Sequence, residues 1–307
     1  MDSNYYIDFE NKFRGSRQNI IDRLSIYDDL IATVLKSCSN PAILDIGCGR
    51  GEFLERWSNK GVNSVGIERD KSMIRLCRNH GLNIIDDDAI EALTKIENDS
   101  FRIISIFHMV EHMEHRNLFK LIKECRRILR PQGILIIETP SIDSLLVSSK
   151  SFYLDPTHIN HIHPDSLSFT LEKLCFAQAK FYYLNGAPLQ EASPLKITRI
   201  LNGVAQDLLL VAAKSEDIAK TIFNLNNEWE QRLDIAPTTL EVAIEYDLEN
   251  ERLLKNSNEK IKLLTDQYNI LIQDMTNNKD HLKYIIFPIK KIKALVRSLL
   301  KVFKFFK

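Results

Sequence analysis

The 307-residue chain is short of the features that mark several large protein classes. It has five cysteines, an odd number with no Cys-x-x-Cys pair, and its N-terminus MDSNYYIDFENKFRGSR has no apolar run of the signal-peptide kind; both point to the reducing cytoplasm. No apolar stretch is long enough to cross a bilayer, no internal repeat is present, and no Gly-Lys-Ser/Thr phosphate-binding loop occurs. Formal net charge is zero, with 41 basic and 41 acidic residues, and no nucleic-acid partner is expected. Acidic residues stop at Asp280: Lys283, Lys290, Lys291, Lys293, Arg297, Lys301, Lys304 and Lys307 follow unopposed. Glycine and proline are missing from 239 to 281.

A hydrophobic content of 44% is enough for a folded core. From about residue 40 to 214, short apolar runs alternate with amphipathic stretches: PAILDIGC, VNSVGIE, LNIID, FRIISIF and GILIIETP are separated by helical patterns such as NLFKLIKECRRIL. That alternation specifies a mostly parallel sheet covered on both faces, a Rossmann-like α/β fold. KFYYLNG and DLLLVAAK follow without an intervening helical pattern and are expected to close it as an antiparallel hairpin, making seven strands. The expected divisions are an N-terminal helical cap at 1–39, the α/β domain at 40–214, a linker at 215–238, a coiled coil at 239–281 and a basic amphipathic helix at 282–307. Leu254, Ile261, Leu264, Tyr268, Leu271 and Met275 fit a heptad seam, which implies a coiled-coil homo-oligomer, with a solvated single helix as the alternative. In the tail, Ile289, Ile292, Leu295, Val296, Leu299, Leu300, Phe303 and Phe306 fall on one helical face and the cations on the other. Such a helix lies on an anionic membrane surface or docks on a protein.

The stretch ILDIGCGRGEF, residues 43–53, ends a strand in Asp45 and turns through Gly47, Gly49 and Gly51 into a helix. A turn of this kind lets backbone approach a nucleotide-type ligand. Here the sequence resembles class I S-adenosylmethionine-dependent methyltransferases. The resemblance implies a loop of Asp45, Gly47, Cys48 and Gly49 under the methionine part of the cofactor, Glu68 for the ribose hydroxyls, and Asp88 with Ala89 beside the adenine, Asp87 being the alternate. It further implies that His108 and Glu111 begin the segment lining the transfer site. His108-x-x-Glu111-His112 also matches the spelling of an inverted zinc-peptidase motif, but those histidines share one continuous helix and His108 follows a strand, so no metal is expected.

FENKFRGSRQNIIDRLSIY, residues 9–27, resembles the N-terminal helix of methyltransferases from bacterial surface-polysaccharide (O-antigen) clusters, and FYLDPTHINHIHPDSL, residues 152–167, resembles their loop after the fifth strand. A lipid-linked glycan is then the implied substrate, with a glycosyltransferase or polymerase as an implied partner and the inner face of the cytoplasmic membrane as the location. For a sugar hydroxyl, His158 or His108 is the candidate base, oriented by Asp155 or Glu111, and His161 is a substrate-binding candidate. For a phosphate, Arg14 and Arg17 would be the clamps. A lipid or small-metabolite methyltransferase and a non-catalytic scaffold are the alternatives.

Overall fold

The computed structural model describes residues 5–36, 40, 42–186, 196–224 and 228–277. It divides into two units, residues 1–246 and 247–307, each considered by itself. In the first, β1 (Ala42–Ile46), β2 (Asn63–Glu68), β3 (Asn83–Asp86), β4 (Phe101–Phe107), β5 (Leu129–Pro140), β6 (Gln178–Leu184) and β7 (Asp207–Ala213) form one sheet in the order β3-β2-β1-β4-β5-β7-β6. β1 to β5 run parallel, and β7 lies antiparallel between β5 and β6. Helices α1 (Tyr5–Phe13), α2 (Arg17–Arg23) and α3 (Asp28–Leu35) precede the sheet. The connections carry α4 (Glu52–Ser58), α5 (Lys71–Asn79), α6 (Ala89–Thr94) and α7 (His115–Ile128), then α8 (Leu145–Ser149), α9 (Pro164–Lys173) and α10 (Ile197–Asn202). The chain continues through α11 (Glu216–Ile222), α12 (Glu228–Gln231) and α13 (Thr239–Asn277).

Alternation along the central strands explains why both faces are covered. Leu44, Ile46, Ile104, Ile106, Leu135 and Ile137 pack into one core with Leu118, Leu121 and Cys125 of α7. Their neighbours Ile43, Ile103, Ile134 and Ile136 point the other way and meet Leu30, Ile31 and Val34 of α3.

Several expectations are corrected. Residues 215–238 are not a linker: Ile218, Ala219, Ile222, Trp229 and Leu233 are buried in the second core, and the Trp229 indole N–H donates to Ile222 O at 2.8 Å. The polar spacing of that stretch hid a face that a sheet requires to be covered. The strands that close the sheet are separated by a helix, α10. The 9–27 stretch is two α-helices followed by a short 3-10 helix at Leu24–Tyr27; the first break falls where Gly15 takes φ +95° and Ser16 caps α2 by accepting from Asn19 N.

α13 is a continuous helix that begins in the first unit, where Thr239 N–H donates to Asp143 Oδ2 at 2.8 Å. In the second unit, the seam positions Leu254, Leu264 and Leu271 are exposed. Residues 282–307 lie outside the described residues.

Candidate active site

The strand order reverses between β1 and β4, and a cavity of about 750 Å³ opens at the carboxyl ends of the strands there. Its cofactor side follows from strand ends. After β1, Gly47 takes φ +68°, and a Cβ at this position would stand 2.6 Å from Met109 Cγ, so the turn closes tightly on the segment after β4. Glu68, the last residue of β2, accepts from Gly49 N at 3.0 Å and from Arg69 N and Asp70 N at 2.8 Å. Burial raises its carboxyl, although these three N–H groups oppose the shift. Asp88 caps α6 through Ile90 N at 3.0 Å, and Asp87, Asp88 and Ala89 all line the cavity with Cys48. Asp45 accepts from the Ser105 hydroxyl at 2.7 Å, and burial pushes it up to about 7.

The N-terminal helices close over this loop through a contact the sequence did not suggest. Arg50, inside the glycine turn, is almost wholly buried; its Nε lies 2.7 Å from Glu52 and 3.3 Å from Glu10 of α1, and its Nη1 donates to Asn11 and to Gly15 O. A basic residue in a glycine turn facing an acid-bearing helix was the only available signal.

The opposite side is assembled from the ends of β4 and β5 and the start of β7. His108 follows β4 in a left-handed conformation, φ +49°, which is sterically unfavourable for a side chain and is held by the surrounding contacts. Its Nε2 lies 3.1 Å from Glu138 Oε1 and 3.7 Å from Asp207 Oδ1, and its Nδ1 lies 3.5 Å from Glu111 Oε1. Burial alone would lower the imidazole, but Glu111 and Glu138 raise it to about 9, so it is an imidazolium at neutral pH. An imidazolium held among these carboxylates is less suited to serve as the base than a neutral imidazole. Arg23 reaches the same Glu138 oxygen at 2.8 Å, and the Tyr27 hydroxyl donates to the other one. These partners hold Glu138 at about 2 despite burial.

His112, which the sequence placed in the rejected metal spelling, lines the cavity; His158, Asp155 and His161 do not. Its Nδ1 is 2.8 Å from Thr157 Oγ1, which is 2.6 Å from Asp155 Oδ1. A hydroxyl has one proton, and here it faces a carboxylate, so Nδ1–H donates to Thr157 and Nε2 carries the lone pair. Burial lowers the His112 pKa, leaving it neutral near pH 7. Asp155 therefore orients His112 through Thr157, whereas His158 gives its Nδ1–H to Phe152 O at 2.7 Å. His161 stacks on the Phe152 ring at 3.7 Å. Arg14 reaches the cavity and pairs with Glu10 at 3.2 Å. Arg17 does not reach it: its guanidinium is bound to Glu55 and to Arg50 O, joining α2 to α4.

A glycine turn after the first strand, an acid closing the second and another after the third, around a cavity at the switch point, define a nucleotide-type cofactor site in a doubly wound sheet. A family model described as a methyltransferase domain matches residues 44–137. A SAM-dependent methyltransferase from Archaeoglobus fulgidus superposes with TM-score 0.59 at 34% identity, over 68% of this chain and 100% of that one. The chain belongs to the S-adenosylmethionine-dependent methyltransferases. The ubiquinone biosynthesis O-methyltransferase of Hahella chejuensis is 28% identical over 137 residues, covering 43% of this chain and 55% of that protein. The corresponding protein of Coxiella burnetii is 32% identical over 102 residues, covering 32% and 42%. The match thus spans about half the length of these curated relatives.

The residues present fit the family's cofactor. Gly47 leaves no room for a side chain between the loop and Met109, Glu68 offers a carboxylate at the end of β2, and Asp45 is a buried acid whose charged form a cationic ligand would favour.

Proposed function

We propose that the chain transfers a methyl group from S-adenosylmethionine to a hydroxyl of a membrane-associated glycan, such as the terminal sugar of an O-antigen chain. The cofactor supplies an electrophilic sulfonium methyl for in-line attack. Glu68 is assigned to the ribose hydroxyls, Asp88 to the adenine, and the Gly47–Gly51 turn with Asp45 to the methionine end. Phe13, Ile20, Leu24, Met113 and Ile159 contribute apolar wall to the cavity.

The observation that favours a hydroxyl over a phosphate is the neutral, tautomer-fixed His112 on the acceptor side. A phosphate needs available cations, whereas Arg17 is committed to Glu55, Arg23 to Glu138, and Arg14, the candidate clamp that reaches the cavity, is paired with Glu10. Support for a glycan comes from the two segments that resemble the polysaccharide enzymes: both reach the cavity, one through Phe13, Arg14 and Arg23, the other through Thr157 and Ile159. A lipid or small-metabolite hydroxyl is the second reading, favoured by the similarity to ubiquinone biosynthesis O-methyltransferases. The intact cofactor set speaks against a pure scaffold.

The deciding measurement is mass spectrometry of lipid-linked glycan incubated with enzyme and labelled cofactor, beside a panel of phenolic and lipid hydroxyl acceptors. A methylated glycan terminus supports the proposal, and turnover only on a phenol overturns the glycan assignment. His112→Ala should lower turnover roughly 10²–10⁴-fold with cofactor affinity intact. The membrane location is proposed on the sequence of residues 282–307 alone. Full-length protein should co-sediment with anionic vesicles at low salt, and a chain ending at 281 should not.

A further inference from the structure

The two histidines of His108-x-x-Glu111-His112 fall into different side-chain groups. His108 stands with Glu138 and Asp207, while His112 stands with Glu111 and His158, each group offering ligand atoms within 4.8 Å of one another. The first group is already supplied with positive charge. The Arg23 guanidinium is 2.8 Å from Glu138 and 3.8 Å from Asp207, and the Tyr27 hydroxyl occupies the other Glu138 oxygen. The second group has no guanidinium among the described ion pairs; its neighbouring cation is the His108 imidazolium, which a metal ion would displace from Glu111. Glu111 is completely buried; its Oε2 accepts from Thr139 Oγ1 at 3.0 Å, but its Oε1 makes no hydrogen bond, standing 3.5 Å from His108 Nδ1 and 3.9 Å from His158 Nε2. A buried carboxylate oxygen without a hydrogen bond is costly and calls for an explanation.

We propose that Glu111, His112 and His158 form a binding site for one divalent transition-metal ion of the zinc type, open on its His112 side to the acceptor end of the cavity. Both imidazoles are prepared for ligation by hydrogen bonds at the far nitrogen. His158 gives Nδ1–H to Phe152 O, and His112 gives Nδ1–H to Thr157, which is held by Asp155. Each Nε2 is thereby left with its lone pair, the tautomer that metal-bound histidines adopt through such outer partners. The loop is also pinned, because Glu111 O accepts from Ile159 N at 2.9 Å and Asn160 N at 3.1 Å, locking the histidine-bearing loop to the turn after β4. Ligand atoms around a tetrahedral ion with bonds of about 2.1 Å lie roughly 3.4 Å apart, so the 3.9 Å gap between His158 and Glu111 needs to close only slightly, while the three-residue group, spread within 4.8 Å, must draw in by up to about 1.4 Å to hold the ion.

Two imidazoles and a carboxylate suit zinc, manganese or iron better than magnesium or calcium. Three protein ligands leave a coordination position for the acceptor. The ion's role, unlike its binding, rests on the methyl-transfer reading. There His112 Nε2, bound to the ion, would no longer serve as the free base. The ion would instead lower the acceptor hydroxyl's pKa, so that the oxygen forms its new bond to the methyl carbon as the carbon–sulfur bond breaks onto sulfur and the hydroxyl proton leaves to water. The sequence argued against a metal by pairing His108 with His112; His158, 46 positions after His112, is the partner that sequence spacing did not reveal.

The test uses untagged full-length protein stripped with a chelator and titrated with Zn²⁺ and Mn²⁺ by calorimetry, with metal content measured after gel filtration. One Zn²⁺ per chain is expected. His158→Ala and Glu111→Gln should weaken it roughly 100-fold or more, and Thr157→Val, which removes only an outer partner, roughly 10-fold. Cobalt provides a check in the unaltered chain: Co²⁺ should give the visible bands of a four-coordinate site and lose them on adding Zn²⁺. Absence of a stoichiometric ion in the wild-type chain, or full retention in folded His158→Ala, overturns the site. Methyl transfer at full rate in metal-free protein would overturn the role and leave the proposed function standing. Stoichiometric metal with no methylated glycan would do the reverse.

Discussion

At the cofactor end of the cavity, Asp45, Gly47 and Glu68 belong to, or directly follow, the strands β1 and β2, and Glu68 is oriented by backbone N–H groups within its own turn and the neighbouring one. At the acceptor end, Glu138 is oriented by Tyr27, Arg23 and His108, which lie 111, 115 and 30 positions away. The first arrangement is largely a property of strand ends. The second exists only when the N-terminal helices, β4 and β5 are assembled. The charges differ accordingly: Asp45 lacks a protein cation among the described ion pairs and is raised to about 7, whereas Glu138 is held at about 2.

The sharpest way to break this contrast is to neutralise one acid at each end. Glu138→Gln leaves the buried His108 and the half-exposed Arg23 against a neutral amide and should destabilise the fold by about 3 kcal/mol in urea unfolding. Asp45→Asn keeps an acceptor for Ser105 and removes a charge that burial already disfavours. It should leave the cofactor-free fold as stable as before or more so, while weakening cofactor binding. Equal losses in both variants would mean that the two ends are held together in the same way.

A pH series sharpens the same point with a smaller effect. His108 has a folded pKa of about 9 against an ordinary 6.5, so its contribution is fully present below 6.5 and is lost as pH rises through 9. The change is on the order of 3 kcal/mol. Asp45 works in a lower window: because its folded pKa is raised from 3.8 to about 7, it penalises the folded state increasingly as pH climbs between those values. Glu138 acts on the acid side, its contribution being present above 4.5 and lost as pH falls toward 2. Stability should therefore decline with rising pH in two steps. Asp45→Asn should shrink the lower step, to which the raised Glu68 and Asp207 also contribute, and spare the upper one.

The same division explains what could be read from the sequence. Strand alternation and the Asp45, Gly47, Glu68 and Asp88 pattern were legible because each lies on a strand or directly after one, where local periodicity fixes position. The acceptor end was misread in proportion to its dependence on distant partners. His108 sits at the expected strand end, but its protonation is set by Glu111 together with Glu138, 30 positions away. Asp155 was read as orienting His158, yet a threonine two positions on redirects it to His112. The helix pattern of 9–27 was recognised, but neither the break at Gly15 nor the packing of Arg17 on α4 has a sequence period. Nothing in the 215–238 spacing announced that the sheet's second face needed it.

At the cofactor end, Glu68→Ala removes a carboxylate from the ribose position, and cofactor affinity should fall by about 1.5–3 kcal/mol, roughly 10- to 100-fold. Calorimetry finding the affinity unchanged would take Glu68 out of the site. It would also leave Gly49 N–H without its described partner for no functional reason.

The smallest expected effect concerns Arg17, which sequence reading placed at the acceptor end and the structure places behind the cofactor loop. Its pairing with Glu55 is about one-quarter exposed on each side, so solvent screens it. Its bond to Arg50 O is the more specific contact, because that carbonyl belongs to the glycine turn itself. Arg17→Ala should cost up to about 1 kcal/mol of stability and leave the Michaelis constant for the acceptor unchanged. Any kinetic change should instead appear in cofactor affinity, through loosening of the turn. A selective rise in the acceptor constant, with cofactor binding intact, would return Arg17 to the acceptor end and reopen the case for a phosphate.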